Sequence, residues 1–362
     1  MSDVIISGYY GLGNSGDEAL LKSIVDDLKM VNPDITITAL SGNAQLTKKN
    51  YGIKTIGRFN IFSIIKEFYS AKLLISGGGT LIQDATSTKS LLYYLAVISL
   101  AKKMGLKVMS YANGMGPLKE KNLKKVEKVM NKVDLITLRE NVSLEEIKRC
   151  NITKPEILVT ADPAFNLVAA SKERADEILS KYSAERDDRL IAVSVRRSKN
   201  NPEGFEEKMA KALDTVAENG YIPILIPMQK SVDLSISLDI AAKMKKQSRV
   251  IDRDLTVAEM LAVIGRCDIA CGMRLHMLIF ASVMNVPMVG IAYDPKIKGF
   301  MEYMKQERYI ELENFDDEEF GKMLNVAIAN MDELKAQLEK DSEPLRDKAK
   351  QNALLALKLL EN

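Results

Sequence analysis

The chain contains one histidine, and the residues around it suit proton transfer beside a bound anion. His276 ends the segment CGMRLH at 271–276, which follows the apolar run 267–270. This pattern predicts a buried strand, a turn at Gly272 and a helix that opens at Leu275. A helix N-terminus favours an anion, Arg274 adds a forked cation, and an unperturbed imidazole titrates near neutrality. His276 is therefore a candidate acid, although this segment alone fits equally well a histidine packed into the first turn of a core helix.

Three further arginines stand where predicted strands end. Arg139 follows the strand predicted at 135–138, and Arg196 and Arg197 follow the strand predicted at 190–195. Alternation along a strand directs one of that pair toward a ligand and the other toward solvent or the partner sheet. Arginines usually occupy solvated helix faces, so this placement predicts that the protein recognises an anionic substrate.

A glycine-rich loop follows the first predicted strand and opens a helix. It contains the pattern G-x-G-x-x-G at Gly11, Gly13 and Gly16, which occurs in dinucleotide-binding proteins. Such proteins carry an acid at the end of the second strand, whereas this chain has none over 39–43. We therefore expect no nicotinamide or flavin cofactor, and we expect Gly13 and Asn14 to approach a polar substrate. The next residues, Asp17 and Glu18, either face that substrate or cap the helix N-terminus.

Two more glycine loops follow later strands. Gly78 and Gly79 lie within three consecutive glycines, with Gln83 and Asp84 just beyond them. A run of glycines lets the backbone pass close to a ligand or to a neighbouring loop. A third loop covers 113–117. Because loops after parallel strands open on one edge of the sheet, the three should converge on one site.

Composition excludes several classes of function. The 51 basic and 49 acidic residues give a net charge of +2, with no arginine-rich patch, so we expect no nucleic-acid partner. Three cysteines and one histidine predict neither a disulfide framework nor a structural zinc site, and no carboxylate cluster predicts a bound metal. No secretion signal is evident, and the apolar helix predicted at 91–101 is too short to span a bilayer. A cytoplasmic protein is expected, with peripheral contact at the inner membrane face through lysine-rich helices as a secondary hypothesis.

Short apolar runs alternate with amphipathic segments throughout, which predicts an α/β fold. We predict two Rossmann-like domains that face one another across a cleft, at 1–165 and 172–315, followed by a helical segment at 316–362. The predicted strands lie near 4–7, 35–40, 73–76, 108–111, 135–138, 157–160, 190–195, 222–227, 250–251, 269–271, 288–292 and 309–310.

Several of these motifs, in this order, resemble the polysaccharide pyruvyltransferase family, particularly its CsaB-type members. The similarity extends from about residue 4 to about residue 300 and rests on the following segments: Gly8-x-x-Gly11-x-Gly13-Asn14-x-Gly16-Asp17-Glu18, Gly77-Gly78-Gly79-x-Leu81-x-x-Asp84, Leu138-Arg139-Glu140, Ala161-Asp162-Pro163-Ala164-Phe165 and Arg274-Leu275-His276. The resemblance implies a GT-B-like fold and transfer of pyruvate from phosphoenolpyruvate to a sugar diol, which yields a ketal. It also implies that Arg139 and Arg274 bind the donor and that His276 donates a proton. Arg196 and Arg197 are weaker candidates for contacts with the donor.

The resemblance further implies an acceptor in cell-wall biogenesis. We expect an N-acetylmannosamine residue of a lipid-linked polymer precursor, whose ketal serves S-layer anchoring. The base for the acceptor hydroxyl is open between Asp17, Asp84 and Asp162, with the first two preferred because they stand in glycine loops. Gly13, Asn14, Gly78, Gly79 and Gln83 are the candidates for contacts with the acceptor.

Two other functions fit the sequence. A GT-B nucleotide-sugar glycosyltransferase or epimerase would share the architecture, because one scaffold hosts many chemistries. It would need a uracil and diphosphate site in the second domain and an acid for the ribose, for which Glu302 is the candidate. A non-enzymatic module that binds a sugar or an anion is the other alternative.

Overall fold

The computed structural model describes residues 2–85 and 87–361. They form two compact units, Met1–Asn166 together with Leu345–Asn362, and Leu167–Pro344. Each unit is an α/β layer structure around one parallel sheet. The predicted α/β class with two Rossmann-like units is therefore confirmed.

The first unit contains a seven-stranded parallel sheet in the order β3-β2-β1-β4-β5-β6-β7. Its central strands are buried on both faces, which explains their continuous apolar sequences. Its strands are β1 Val4–Tyr10, β2 Ile37–Ser41, β3 Lys54–Gly57, β4 Leu73–Gly77, β5 Lys107–Asn113, β6 Leu135–Leu138 and β7 Glu156–Val159. Its first six helices are α1 Ser15–Val31, α2 Ala44–Tyr51, α3 Ile61–Phe68, α4 Thr88–Lys103, α5 Glu120–Met130 and α6 Ser143–Arg149, and a 3₁₀ turn covers Pro163–Asn166.

The second unit repeats this plan with six parallel strands in the order β10-β9-β8-β11-β12-β13. In both sheets the chain starts near the centre, moves outward, and then crosses back, which is the Rossmann order. The strands are β8 Arg189–Ser194, β9 Tyr221–Leu225, β10 Arg249–Val250, β11 Ile269–Gly272, β12 Met288–Ala292 and β13 Tyr309–Glu311. The helices are α7 Lys172–Ser180, α8 Phe205–Ala217, α9 Lys230–Lys243, α10 Val257–Gly265, α11 Leu275–Val283, α12 Pro295–Tyr303 and α13 Asp317–Ala329, with a 3₁₀ turn at Leu312–Asn314.

The last helix, α14 (Met331–Glu361), belongs to both units, because the division falls within it after Pro344. Its final turns complete the core of the first unit, where Ala353 and Ala356 pack in the cluster that contains the β1 side chains. Asn352 fixes this segment by accepting a hydrogen bond from the Thr160 hydroxyl at 2.9 Å. No helix in the described part of the chain has the length and apolarity to span a membrane.

Candidate active site

Arg274 and His276 lie at the carboxyl end of β11, as the sequence predicts. The strand ends at Gly272, where a Cβ atom would collide with the Ser194 carbonyl of the neighbouring strand, so only glycine permits this approach. Arg274 then takes an extended conformation as the N-cap residue of α11. The helix starts at the next residue and directs its free N–H groups to this edge of the sheet.

The guanidinium of Arg274 is held by a buried carboxylate, Asp233 of α9. Nε donates to Oδ2 at 3.0 Å and Nη2 donates to Oδ1 at 2.5 Å, so the pair is bidentate. The Asp233 side chain is fully buried, and its Oδ2 also accepts a hydrogen bond from the Gln229 N–H at 2.8 Å. The pair therefore fixes the orientation of Arg274. Asp233 was not predicted as a site residue, because the sequence alone marks it only as an acid in the first turn of a helix.

His276 occupies the first turn of α11 and is half-buried. Its ring meets that of Phe280, one turn further along, edge to face at a centroid distance of 6.0 Å. Phe280 is fully buried, so this contact restricts the orientation of the imidazole. The proton donor proposed from the sequence thus stands on a rigid element.

Arg196 extends from the end of β8, the strand next to β11. Its Nη1 donates to the Tyr293 hydroxyl at 2.8 Å, and its Cζ lies 4.9 Å from the centre of that ring. Its backbone N–H donates to the Met273 sulfur at 3.5 Å, which ties Arg196 to the residue before Arg274. Its buried Nε has no hydrogen-bond partner among the described residues. Arg196 is thus a cation at the same sheet edge as Arg274, and its Nε–H group has no acceptor among the described residues.

Arg197 has a different environment. It is exposed and pairs with Glu206 of α8 at 3.1 Å and with Asp239 of α9 at 2.7 Å. These partners lie on the helical layer rather than at the sheet edge. The alternation predicted for the pair therefore assigns the ligand-facing position to Arg196, and the contacts of Arg197 argue against its binding a donor.

A cavity of about 260 Å³ opens beside Tyr293, at the carboxyl ends of β12 and β13 and the start of α12. Its walls carry three acids, Asp294, Glu311 and Glu313, one base, Lys298, and the neutral polar side chains of Asn200 and Tyr293. Glu302, the acid considered for a ribose, is exposed, accepts a hydrogen bond from the Tyr309 hydroxyl at 3.3 Å, and is absent from these walls.

In the first unit, the glycine loop after β1 is built around Glu18. This carboxylate accepts hydrogen bonds from the Gly11 N–H and from the Tyr51 hydroxyl, both at 2.7 Å. Burial raises the pKa of Glu18 despite these two bonds. Asn14 caps α1 by accepting from the Gly16 N–H at 3.1 Å, and Gly13 is exposed with a positive φ. Glu18 therefore shapes the loop, and Gly13 and Asn14 stand at its open side.

The second glycine loop passes close to Asp17. A Cβ atom on Gly79 would lie 3.1 Å from the Asp17 Oδ1 atom, and Gly78 packs against the ring and hydroxyl of Tyr10. That hydroxyl donates to the Gly77 carbonyl. Both Gly78 and Gly79 have positive φ, which disfavours larger residues. The structure thus brings Gly78, Gly79 and Asp17 together, as the sequence analysis expected, with Gln83 half-buried further along the loop.

Asp84, the second carboxylate considered as a base, is buried and fully engaged. Oδ1 accepts from the Lys119 N–H at 3.0 Å, and Oδ2 accepts from the Asn122 amide at 2.5 Å. Its backbone N–H donates to the Pro117 carbonyl at 3.3 Å. These bonds join the second and third glycine loops and tie them to the start of α5. They argue for a structural role of Asp84 rather than for proton abstraction.

Arg139 stands at the end of β6, but its guanidinium is buried among acids. Nε donates to Glu140 at 2.6 Å and Nη1 to Asp162 at 3.1 Å. Burial alone would lower the pKa of Arg139, yet the two carboxylates raise it, so the cation is held firmly. Nη2 also donates to the Thr80 hydroxyl at 3.4 Å, so all three nitrogens are engaged, and this geometry favours positioning of the loops over binding of a donor. The position of Arg139 at a strand end was predictable from the sequence, but its pairing with Glu140 was not.

No group of three or more histidine, cysteine or acidic side chains within the described residues could hold a metal ion. All three cysteines are buried, and burial raises the pKa of the Cys150 thiol to about 11 and that of Cys271 to about 12. These thiols are therefore protonated near neutrality.

Comparison with known proteins defines the class. The family model for polysaccharide pyruvyl transferase matches residues 14–295, and the chain belongs to this family. A curated relative, the amylovoran biosynthesis protein AmsJ of Erwinia amylovora, is 22% identical over an alignment that covers 95% of this chain and 96% of AmsJ. Membership assigns the chain to transferases that act on polysaccharides.

Solved structures share the fold at low sequence identity. A glycosyltransferase from Rickettsia africae is 13% identical with a TM-score of 0.66, covering 100% of this chain and 99% of the other. S. aureus MnaA, in a co-structure with UDP, is 13% identical with a TM-score of 0.67, covering 97% and 94%. These neighbours are GT-B proteins, which agrees with the GT-B-like fold predicted from the sequence.

Proposed function

We propose that this protein transfers the enolpyruvyl unit of phosphoenolpyruvate to a saccharide diol and so forms a pyruvate ketal and inorganic phosphate. The observation that carries this proposal is the cation–acid pair at one helix N-terminus. Arg274, oriented by the buried Asp233, stands two residues from His276, the only histidine of the chain. The family model supports pyruvyl transfer, and this pair supplies the two functions that the reaction needs there.

The donor carries a carboxylate and a phosphate, so its site needs at least two cations. Arg274 and Arg196 extend from adjacent strands, and each has an anchored guanidinium. Arginine forks bind planar or tetrahedral oxyanions through paired N–H groups. We assign the donor to these two residues. We assign Arg139 a positioning role because all three of its nitrogens donate to side chains, whereas the pair with Asp233 uses only Nε and Nη2 of Arg274.

His276 acts as the general acid in this proposal. The π electrons of the donor's C=C bond take a proton from the imidazolium, the methylene becomes a methyl group, and the adjacent carbon becomes an oxocarbenium centre. One acceptor hydroxyl attacks that carbon and loses its proton. Cleavage of the C–O bond then releases phosphate, and the second hydroxyl closes the ketal and loses its proton. One of these two protons restores the imidazolium, and the other leaves with phosphate.

A base is needed for the first hydroxyl. Of the two preferred carboxylates, we propose Asp17, since it lies against the positive-φ glycine loop, whereas both oxygens of Asp84 are occupied. Gly13, Asn14, Gly78, Gly79 and Gln83 are the proposed contacts of the first unit with the acceptor.

The finer identity of the acceptor follows from the CsaB-type resemblance. We propose an N-acetylmannosamine residue of a lipid-linked cell-wall polymer, modified in the cytoplasm at the inner face of the membrane, with the ketal used for S-layer anchoring. Family membership supports a polysaccharide acceptor, and the relative AmsJ is named for a role in amylovoran biosynthesis.

A nucleotide-sugar glycosyltransferase or epimerase is the second candidate. The cavity beside Tyr293 favours it, because Glu311 and Glu313 on its walls could accept hydrogen bonds from ribose hydroxyls. The fold shared with MnaA is compatible with this function.

One assay separates the two candidates. Purified protein is incubated with phosphoenolpyruvate and a synthetic N-acetylmannosamine acceptor, and phosphate release is followed together with the acceptor's mass. Phosphate release matched by the mass gain of a ketal is the expected result. Absence of both transfer and donor binding, together with turnover of a nucleotide sugar, would overturn the proposal. If phosphoenolpyruvate binds and binding is lost in Arg274→Ala, the donor is correct and the acceptor needs revision.

A further inference from the structure

Besides Arg139 and Arg274, the described residues include one more buried arginine, Arg58 in the first unit, which has no role in the proposed reaction. Arg58 directly follows β3, and its backbone N–H donates to the Ser41 carbonyl of β2 at 2.9 Å. This places Arg58 at the carboxyl edge of the sheet, the edge on which the glycine loops open. The residue is only 8% exposed.

Arg58 differs from the other buried arginines in lacking a counter-ion. Arg139 has two carboxylate partners and Arg274 has the buried Asp233. Arg58 forms no ion pair with any described residue, and its Nε has no hydrogen-bond partner among them. A buried cation without a compensating charge is costly. Among the described residues, no acid therefore neutralises this buried guanidinium.

Aromatic rings surround this cation. The Arg58 Cζ atom lies 4.6 Å from the ring centre of Tyr93, 5.1 Å from that of Phe59, and 5.7 Å from those of Tyr9 and Tyr94. Ring faces attract a cation and lower the cost of burying it, but they leave its N–H donors unsatisfied. The guanidinium is therefore held in place while donors remain available.

Two further polar atoms near this cluster have no hydrogen-bond partner among the described residues. They are the Tyr94 hydroxyl and the Ser7 hydroxyl, both buried. Burial raises the pKa of Tyr94, so this phenol keeps its proton at neutral pH, whereas the Tyr93 hydroxyl already donates to the Arg58 carbonyl at 2.9 Å. Buried donors without partners are rare in native proteins. A cation and two hydroxyl groups at one sheet edge together fit an oxyanion.

We propose that Arg58 and its surrounding aromatic residues form a subsite for a phosphoryl group carried by the acceptor. This inference rests on the proposed function, because it names the acceptor saccharide as the bearer of the phosphoryl group. The guanidinium binds the phosphoryl oxygens, and the aromatic faces contact the part of the acceptor next to the phosphate. Phe59 and Phe62 are 78% and 84% exposed just beyond Arg58, so a lipid chain on that phosphate would meet apolar side chains.

The test measures binding without donor or turnover. Calorimetry compares N-acetylglucosamine 1-phosphate, N-acetylglucosamine and glucuronate as soluble probes, and flotation uses phosphatidylcholine vesicles with or without polyprenyl phosphate. We expect the phosphorylated probe to bind at least about tenfold more tightly than the unphosphorylated sugar. We expect Arg58→Met to abolish that difference and Arg58→Lys to retain part of it.

Arg189→Met is the matched control, since Arg189 also stacks on a tyrosine, at 4.5 Å from the Tyr221 ring centre, but is exposed. It should bind like the wild type. If Arg58→Met fails to fold, the unfolding temperature of the wild type provides a second measurement. An increase with the phosphorylated sugar, and none with the unphosphorylated sugar, still supports the subsite. Binding only to polyprenyl phosphate vesicles, lost in Arg58→Met and partly retained in Arg58→Lys, assigns the phosphate to a lipid. Binding of the soluble probe assigns it to a sugar phosphate.

Two results would overturn the inference: no phosphate-dependent binding by the wild type to either source, or tighter binding of glucuronate than of the sugar phosphate. Since no phosphoenolpyruvate is present, either result leaves pyruvyl transfer intact. Conversely, failure of the transfer assay would leave phosphate binding at Arg58 measurable.

Discussion

Arg274 and Asp233 form a bidentate ion pair although they are 41 residues apart in the chain. The pair joins the start of α11 to the first turn of α9. It fixes the cation that stands beside His276, so the donor site proposed here depends on a carboxylate that touches no substrate.

Loss of Asp233 should therefore weaken both donor binding and the fold. Replacing one partner of a buried pair leaves an uncompensated charge, so Asp233→Asn should lower the free energy of unfolding by about 3 kcal/mol and raise the KM for phosphoenolpyruvate. Asp239→Asn is the control, because Asp239 lies on the same helix and pairs with Arg197 but is exposed. Its effect on stability should stay below about 1 kcal/mol. Equal effects of the two variants in chemical denaturation would contradict the positioning role.

His276 should be needed for chemistry and not for donor binding. We expect His276→Gln to reduce kcat by roughly 10²- to 10⁴-fold, the range typical of a lost general acid. The Kd for phosphoenolpyruvate should change little, because Arg274 and Arg196 remain. Phosphate release measures the rate, calorimetry measures donor binding, and circular dichroism checks the fold. A variant with a normal kcat would exclude His276 as the acid.

The two neighbouring arginines after β8 should behave differently. Arg196→Met removes a cation at the sheet edge and should raise the KM for phosphoenolpyruvate about tenfold, with less effect on kcat. Arg197→Met breaks exposed pairs with Glu206 and Asp239, so its KM should match that of the wild type. Steady-state kinetics on both variants make the comparison. A larger KM effect at Arg197 would reverse our assignment of the ligand-facing position.

Substitution of the two candidate bases, Asp17 and Asp84, should affect different properties, namely turnover and stability. Asp17→Asn should lower kcat and leave stability nearly unchanged if Asp17 receives the hydroxyl proton. Asp84→Asn should instead lower the free energy of unfolding by about 1–2 kcal/mol, because it weakens buried hydrogen bonds to the Lys119 N–H and the Asn122 amide, while folded molecules keep their kcat. Denaturation curves and turnover per folded molecule distinguish these outcomes. A loss of kcat confined to Asp84→Asn would shift the base to that residue.

Asp27 should make the first unit less stable as pH rises. Burial raises its pKa from 3.8 to about 6, against the opposing effect of the hydrogen bond from Asn166. Between these two values the folded state holds a proton that the unfolded state has lost, so stability falls as pH increases. The total loss is at most roughly 3 kcal/mol.

Asp27→Asn should remove this loss of stability. The free energy of unfolding, measured by chemical denaturation, should then change little between about pH 4 and pH 7, the range set by the two pKa values. The Asn166 Oδ1 atom is buried without a hydrogen-bond partner among the described residues, so an amide at position 27 gains an acceptor. Asp26→Asn, which changes the exposed neighbour that pairs with Lys22, should keep the wild-type slope. An unchanged slope in Asp27→Asn would show that another group titrates.

Most of the fold was predictable, because strands buried on both faces appear as short apolar runs. The strands Leu135–Leu138 and Met288–Ala292 match their predicted bounds, and the others differ by a few residues at their ends. The edge strand Lys54–Gly57 was missed. It begins with an exposed lysine and carries only one large apolar residue, so it lacks the pattern of a buried strand.

The site was predictable only where its residues are neighbours in sequence. Arg274 and His276 are two residues apart, so one strand–helix junction positions both. Asp233 pairs with Arg274 only through the packing of α9, which no local pattern encodes. Arg139 was placed correctly at a strand end, but its burial beside Asp162 depends on a residue 23 positions later. Arg58 was missed because the strand before it was missed.

The position of α14 has a consequence for biosynthesis. Since Ala353 and Ala356 fill the core beside β1, the first unit made by the ribosome lacks part of its interior until these two residues emerge. The second unit, Leu167–Pro344, is continuous in the chain and is synthesised whole before that moment. The nascent protein therefore matures in the reverse of its order of translation, with its amino-terminal unit completed last.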